Sequence, residues 1–222
     1  MTRDEFKRQL EMLQVQIFQG LVCHAVWHRL YFHEEGEAPP SIEETNRVFE
    51  RFKSFFKPVR VALQDTMLLQ FAKVFDTDSG AISLPNLLAA ARKDNPNLAP
   101  TATTQELREI SRLIKGVRAT LKNKLRPLRH KRLAHTDPQP QDVSFQVSEL
   151  DSLVDTMKEA FNRLSSAHNN EGWHWGLALD EVSRATTDIL SILAEAENRR
   201  LAELVERKSR RPAERRRADI LS

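Results

Sequence analysis

Apolar side chains recur every three or four residues over long stretches of this chain, and prolines separate most of these stretches. That spacing is the repeat of an α-helix that buries one face. The 222 residues include only 6 glycines, too few for the frequent turns of a β-sandwich or β-barrel. We therefore predict an all-α fold, a single-domain bundle of about six or seven helices.

The apolar pattern, its capping residues and its prolines together set the expected limits of the helices. Ser41 and Glu44 form a capping box, Ser83 is a helix cap, and Pro58 is expected to kink or restart a helix. The predicted helices cover residues 2–33, 42–56, 59–75, 84–93, 104–134, 148–167 and 177–208.

Positive charge is concentrated at the C-terminal end of the chain. Residues 207–217 contain seven Lys or Arg and one Glu, a charge of +6, whereas the whole chain carries +3, so the remainder carries −3. We predict a helical bundle over residues 1–206 and a basic tail over 207–222. Because the body is mildly acidic, binding to nucleic acid would depend on local patches rather than on overall charge.

Several classes of protein are excluded by residue usage. Cys23 is the only cysteine, which excludes a disulfide framework and a multi-cysteine zinc site. No apolar run approaches the roughly 20 residues of a membrane span, and the charged first residues do not fit a signal peptide. We expect a cytoplasmic protein without a membrane anchor.

The predicted helix over 104–134 changes character towards its end. Its apolar seam, extended by one heptad, reaches His135, and cationic side chains surround the distal part. Arg129, Arg132 and His135 would span an arc of about 120° on a helix, so they can face one anionic ligand. The same residues also fit a solvated basic helix end.

An arginine and a histidine without a carboxylate or cysteine cluster suit metal-free cleavage of RNA. In that reaction the ribose 2′-OH loses a proton and attacks the adjacent phosphate, and the leaving 5′-oxygen gains a proton. Histidine transfers protons near neutral pH, and the planar fork of arginine fits the charged phosphorus centre. We expect neither a metal nor another cofactor.

The segment Arg129–Asp137, read RHKRLAHTD, resembles the signature of the HEPN superfamily, the higher eukaryotes and prokaryotes nucleotide-binding domains. Together with the upstream LLQFAKVFDTDSGAISLPNLL, it is similar to the abortive-infection branch, over about residues 6–197. The resemblance implies a helical bundle that dimerises so that two motifs face each other, and metal-independent endoribonuclease activity in toxin or phage-defence systems. It assigns catalytic roles to Arg129 and His135 and supporting roles to His130 and Arg132.

Two departures from the superfamily pattern bear on this interpretation. Pro127 lies two residues before the arginine and can bend the helix that presents it. Asp137 occupies the position at which a toxin branch has a tyrosine that an antitoxin modifies, and the only tyrosine of the chain is Tyr31. Control by that modification is therefore not expected at the motif, although an antitoxin or defence-system partner remains an expectation.

Other residues are candidates for contacts with an RNA substrate. Basic side chains near the motif and in the tail can contact phosphates. They are Lys124, Lys131, Arg210, Arg211 and Arg215.

The tail can equally dock an acidic partner, and Trp173 and Trp175 fit a lid over the bundle better than base stacking. His24 and His28 have a spacing that can chelate zinc, but packing or surface roles fit them better.

Two alternatives to an enzyme remain from the sequence. The first is a non-catalytic module of the same fold that binds RNA, a nucleotide or a protein. The second is a helical scaffold in which only the basic tail is active. Convergence of Arg129 and His135 from two subunits on one cleft would favour the enzyme.

Overall fold

The computed structural model describes residues 1–32, 40–128 and 145–221, with side chains up to residue 127 and from 145 to 209 within these ranges. Within these ranges the chain is helical and contains no strand, which confirms the all-α prediction. Seven of the described helices have ten or more residues. They are α1 (Arg3–Tyr31), α2 (Ile42–Arg51), α3 (Lys53–Val74), α4 (Leu84–Lys93), α6 (Thr104–Gly116), α9 (Val147–Asn169) and α10 (Trp175–Leu221).

Short helical segments fill the places between these long helices. A four-residue helix, α5 (Asn95–Leu98), interrupts the predicted loop after α4. Three consecutive segments follow α6, namely α7 (Arg118–Thr120), a π-helical turn (Leu121–Leu125) and α8 (Arg126–Leu128).

Side-chain caps start several helices where the sequence predicts. Thr2 and Glu5 form a capping box at α1, Ser41 and Glu44 form the predicted one at α2, and Ser83 accepts a hydrogen bond from the Asn86 backbone at α4. Each cap satisfies backbone N–H groups that have no partner inside the helix. These local hydrogen bonds explain why the starts of α1, α2 and α4 are predictable from neighbouring residues.

The expected break at Pro58 is wrong. The helix breaks at Phe52, and Pro58 lies inside α3. A proline clashes with the carbonyl four residues earlier, and here that residue is Ser54, the second residue of α3. The lost hydrogen bond therefore falls in the first turn. The break at Phe52 allows Phe56 to fold back onto a small core with Leu30, Val48, Leu190 and Ala194.

The last helix is longer than the apolar pattern predicts. Its backbone stays helical from Trp175 to Leu221, through Pro212 and the basic tail. The predicted boundary between residues 206 and 207 therefore falls inside a continuous helix. No helix among the described residues is long and apolar enough to cross a membrane.

The main core forms where α1 packs along α3, with α4, α6 and α9 closing around them. The largest of its fully buried side chains are Phe6, Phe71 and Phe161. Parts of α10 cover α1 and α2. Burial of this continuous apolar core supplies most of the stability of such a bundle.

Candidate functional site

The Arg129–Asp137 motif lies outside the described residues, and so do the candidate residues Arg129, His130, Lys131, Arg132 and His135. The side chains of Arg210, Arg211 and Arg215 also lie outside them. The structure does describe the helical segments that lead into the motif and the start of the helix that follows it.

The helix that leads into the motif is not continuous. The prediction of one helix from residue 104 is wrong at Val117, where φ is −94° and ψ is 6° and α6 ends. Gly116 precedes this break and weakens the helix there. The chain then forms the π-helical turn Leu121–Leu125 before α8. Turns of this kind insert one extra residue into a helix and frequently occur at functional sites.

Lys124 joins the two ends of the segment that contains the motif. Its Nζ lies 2.5 Å from a carboxylate oxygen of Glu149, in the first turn of α9, and 5.7 Å from the centre of the Phe145 ring. The same carboxylate accepts a hydrogen bond from the backbone N–H of Gln146. The bond from Lys124 holds the pKa of Glu149 below its usual value. Lys124, which precedes the motif segment in the chain, is therefore held against residues 145–149, which follow it.

A cavity of about 270 Å³ opens beside the π-helical turn. One wall comes from the end of α3 and the turn after it, through Phe75 and Asp76. The opposite wall carries Arg118, Lys122 and Arg126, and Leu121 and Leu125 add apolar surface. Arg126 is only three residues before Arg129 in the sequence. The cavity therefore lies next to the point at which the chain enters the motif.

Arg118 and Lys122 are not among the residues that the sequence pattern marked, and Arg126 was marked only as one of the cationic side chains around the distal seam. Their signal is a spacing of four residues, which keeps successive basic side chains near one helix face. Lys124 was singled out because it is cationic and close to the motif. The structure pairs it with Glu149 instead of placing it in this cavity wall.

His24 and His28 lie at the edge of a different cavity, of about 590 Å³, between α1, α9 and α10. Their ring centres are 5.7 Å apart. Burial, and secondarily the nearby His28, lowers the pKa of His24 to about 4. Within the described parts of the chain, no three His, Cys, Asp or Glu side chains are grouped to hold a metal ion.

The tryptophan loop packs against the far part of α9. Trp175 is buried against Phe161, with ring centres 5.6 Å apart, and the backbone of Trp173 is bonded to the Asn162 side chain. Asn162 is 13 residues beyond Glu149 on α9, about 20 Å along a helix. Trp173 and Trp175 thus cover one end of the bundle, and Lys124 lies near the other end of α9.

An all-α bundle is the fold that the resemblance to HEPN-type domains implies, and the described helices form one. The comparison with protein families agrees, because the model of the HEPN_AbiU2 family, described as AbiU2, matches residues 3–189. The chain therefore belongs to this family of HEPN-type, abortive-infection-associated domains. No curated protein and no solved structure matches the chain significantly. The matched region contains the whole motif and ends within α10.

Proposed function

We propose that this protein is a metal-independent endoribonuclease of a bacterial toxin or phage-defence system, active as a homodimer in the cytoplasm. The observation that carries the proposal is the family match, which includes the Arg129–His135 segment. The interrupted helix and the cation-lined cavity just before that segment support it. An antitoxin or another defence protein would restrain such an activity in the host cell.

The proposed chemistry needs only the substrate and two kinds of side chain. A base, His135 of one subunit, takes the proton of the ribose 2′-OH, and the 2′-oxygen forms a bond to phosphorus. The bond to the 5′-oxygen breaks, and that oxygen takes a proton from an acid, for which the second subunit offers its own His135. Arg129 stabilises the charge on the phosphate oxygens in between.

The products are a 2′,3′-cyclic phosphate and a 5′-hydroxyl. His130 and Arg132 support the two catalytic side chains in this scheme. Lys131 and the tail residues Arg210, Arg211 and Arg215 contact the RNA backbone in this scheme, and Lys124 orients the motif segment through its ion pair with Glu149. The nucleophile is the hydroxyl of the substrate, so the scheme uses no metal.

Substitution of the two catalytic residues tests this proposal. His135→Ala should lower the rate of RNA cleavage about 10²–10⁴-fold, because a proton-transfer group is lost. Arg129→Lys should also lose RNA cleavage, because lysine keeps the positive charge but cannot form the bidentate hydrogen bonds of a guanidinium group. Gel assays of labelled RNA would measure the rates, and circular dichroism would check the fold. His174→Ala is the matched control, because His174 is exposed in the tryptophan loop.

The products and the metal requirement give an independent check. Cleavage should continue in EDTA, leave a 2′,3′-cyclic phosphate and spare DNA, which lacks the 2′-hydroxyl. A requirement for magnesium, equal cleavage of DNA or full activity of His135→Ala would contradict the mechanism.

A non-catalytic RNA-binding module of the same fold is the second candidate. The cation-lined cavity favours it, because an anion-binding wall needs no proton-transfer group to function. RNA binding without any cleavage by the wild-type protein would select this alternative.

A further inference from the structure

The cavity beside the π-helical turn continues into a second one. The second cavity, of about 300 Å³, lies between α4 and the α6–α7 segment. Phe75, Thr77, Arg118 and Leu121 line both cavities. The two therefore form one continuous depression, which we call the basic groove.

Five cations line the basic groove, and they are all exposed. They are Arg92, Lys115, Arg118, Lys122 and Arg126. Among the described lining residues Asp76 and Asp78 are acidic, so this described part of the lining has a formal charge of +3. A concave surface of one predominant charge attracts a ligand of the opposite charge.

Within the described ranges the groove cations have no ion-pair partner, in contrast to four other basic residues. Arg47, Lys124, Arg163 and Arg200 each form an ion pair with a glutamate. No hydrogen bond or ion pair joins any groove cation to another residue in the described ranges. Their donors are available to an external anion.

Four of the five cations follow the helix that leads to the motif. Lys115, Arg118, Lys122 and Arg126 are three or four residues apart. Lys115 lines the second cavity, Lys122 and Arg126 line the first, and Arg118 lines both. At 1.5 Å per residue the row is about 16 Å long. The next basic residue at this spacing is Arg129. In the sequence, the row therefore ends three residues before the proposed catalytic arginine.

The floor of the basic groove is apolar. Leu88, Ile114, Leu121 and Leu125 contribute side chains to it, along with Phe75. A single strand can place its phosphates on the cations and its unstacked bases on such a floor, whereas a duplex hides its base faces. An acidic polypeptide would pair with the cations, but it would cover less of the apolar floor than the bases of a single strand would.

We propose that the basic groove binds single-stranded RNA and guides it to the motif segment. This inference rests on the proposed function for the direction of the strand, but binding can be tested without cleavage. The probe is a single-stranded oligonucleotide in which every ribose is 2′-O-methylated, so that the attacking hydroxyl is blocked. Fluorescence anisotropy of the labelled probe gives Kd over a series of salt concentrations.

The triple variant Arg118→Ala/Lys122→Ala/Arg126→Ala should bind the probe at least tenfold more weakly at low salt. Each phosphate contact to a single strand contributes about 0.7 to the slope of log Kd against log salt, so the slope should fall by about 2. The charge-conserving variant Arg118→Lys/Lys122→Arg/Arg126→Lys should keep most of the slope. Circular dichroism and thermal unfolding would show that each variant is folded.

Arg112→Ala is the matched control for removal of one charge. Arg112 lies on α6, before the break at Val117, and lines a cavity on the side facing α9, with Glu109 and Arg163. Its loss should leave the slope within about 0.3 of wild type, whereas Arg118→Ala alone should lower it by about 0.7.

Three results would overturn the inference. They are an unchanged slope in the triple variant, an equal loss in Arg112→Ala, and displacement of the probe from the groove by duplex RNA or polyglutamate at equal or lower concentration. If wild-type protein binds through these cations but His135→Ala still cleaves RNA, the groove stands and the proposed mechanism fails. If the groove cations prove unnecessary for binding while His135 is essential for cleavage, the proposed mechanism stands and the groove proposal fails.

Discussion

His24 shows how burial can change the chemistry of a side chain that the sequence marks only by its spacing. Its ring lies among aromatic neighbours, with ring centres 5.7 Å from His28 and 6.4 Å from both Trp27 and Phe71. Its buried Nε2 has no hydrogen-bond partner among the described residues. Such surroundings disfavour the charged imidazolium and leave the ring neutral at pH 7.

The lowered pKa of His24 predicts a pH dependence of stability. The unfolded chain binds the proton with a pKa near 6.5 and the folded chain with one of about 4. The unfolded state therefore takes up more protons as the pH falls through this window, and stability is lost. This residue alone should lower the free energy of unfolding by about 2 kcal/mol between pH 7 and pH 5.

Urea unfolding of wild type and His24→Phe at both pH values would measure this contribution. Phenylalanine keeps an aromatic ring at the site but cannot be protonated, so the difference between pH 7 and pH 5 should shrink by about 2 kcal/mol. An identical pH difference in the two proteins would show that His24 is not the responsible group.

At the scale of helices, Gly20 allows the close packing of α1 against α3. A Cβ atom at this position would lie 3.0 Å from the Phe71 ring and 3.1 Å from the Cβ of Gln70. Phe71 is fully buried, so its ring has little room to move. The packing of α1 against α3 thus depends on the absence of one side chain.

Gly20→Ala should destabilise the protein by about 1–2 kcal/mol, because the overpacking outweighs the better helix propensity of alanine. Gly116→Ala is the matched control, since nothing lies within 4 Å of the added Cβ. It should stabilise by about 0.4–1 kcal/mol. Denaturant unfolding measures both, and a loss in Gly116→Ala equal to that in Gly20→Ala would contradict the packing argument.

At the scale of the whole molecule, α10 leaves apolar side chains uncovered. Ile189 is 58% exposed and Ile192 is 63% exposed, and the exposed Ala185 and Ala196 extend the same stripe at spacings of three and four. Exposed aliphatic stripes of this kind commonly mark contacts with other chains. A second copy of the protein is the occupant that the proposed two-motif site requires.

We expect light scattering at micromolar concentration to give about twice the monomer mass of 25.6 kDa. The double variant Ile189→Glu/Ile192→Glu should shift the mass towards the monomer without unfolding it, because both side chains are exposed in one subunit. A monomeric wild type would remove the composite site. A dimeric double variant would place the interface elsewhere.

The sequence by itself determined the helical class of this protein and most helix starts. These properties depend on neighbouring residues, such as the capping pairs Thr2–Glu5 and Ser41–Glu44 and the helical spacing of apolar side chains. The family resemblance was also readable, because the residues of the motif are contiguous in the chain and the family match includes them.

Only the tertiary structure decided where long helices break and which charges are available. The break at Phe52 rather than Pro58 depends on distant partners of Phe56, and the π-helical turn forms where Leu125 is buried against the main core. Lys124 and Lys122 are equivalent as sequence, but Glu149 reaches the first and not the second. Ion pairing depends on residues far apart in the chain, so the cations of the basic groove could be distinguished only after the helices had packed.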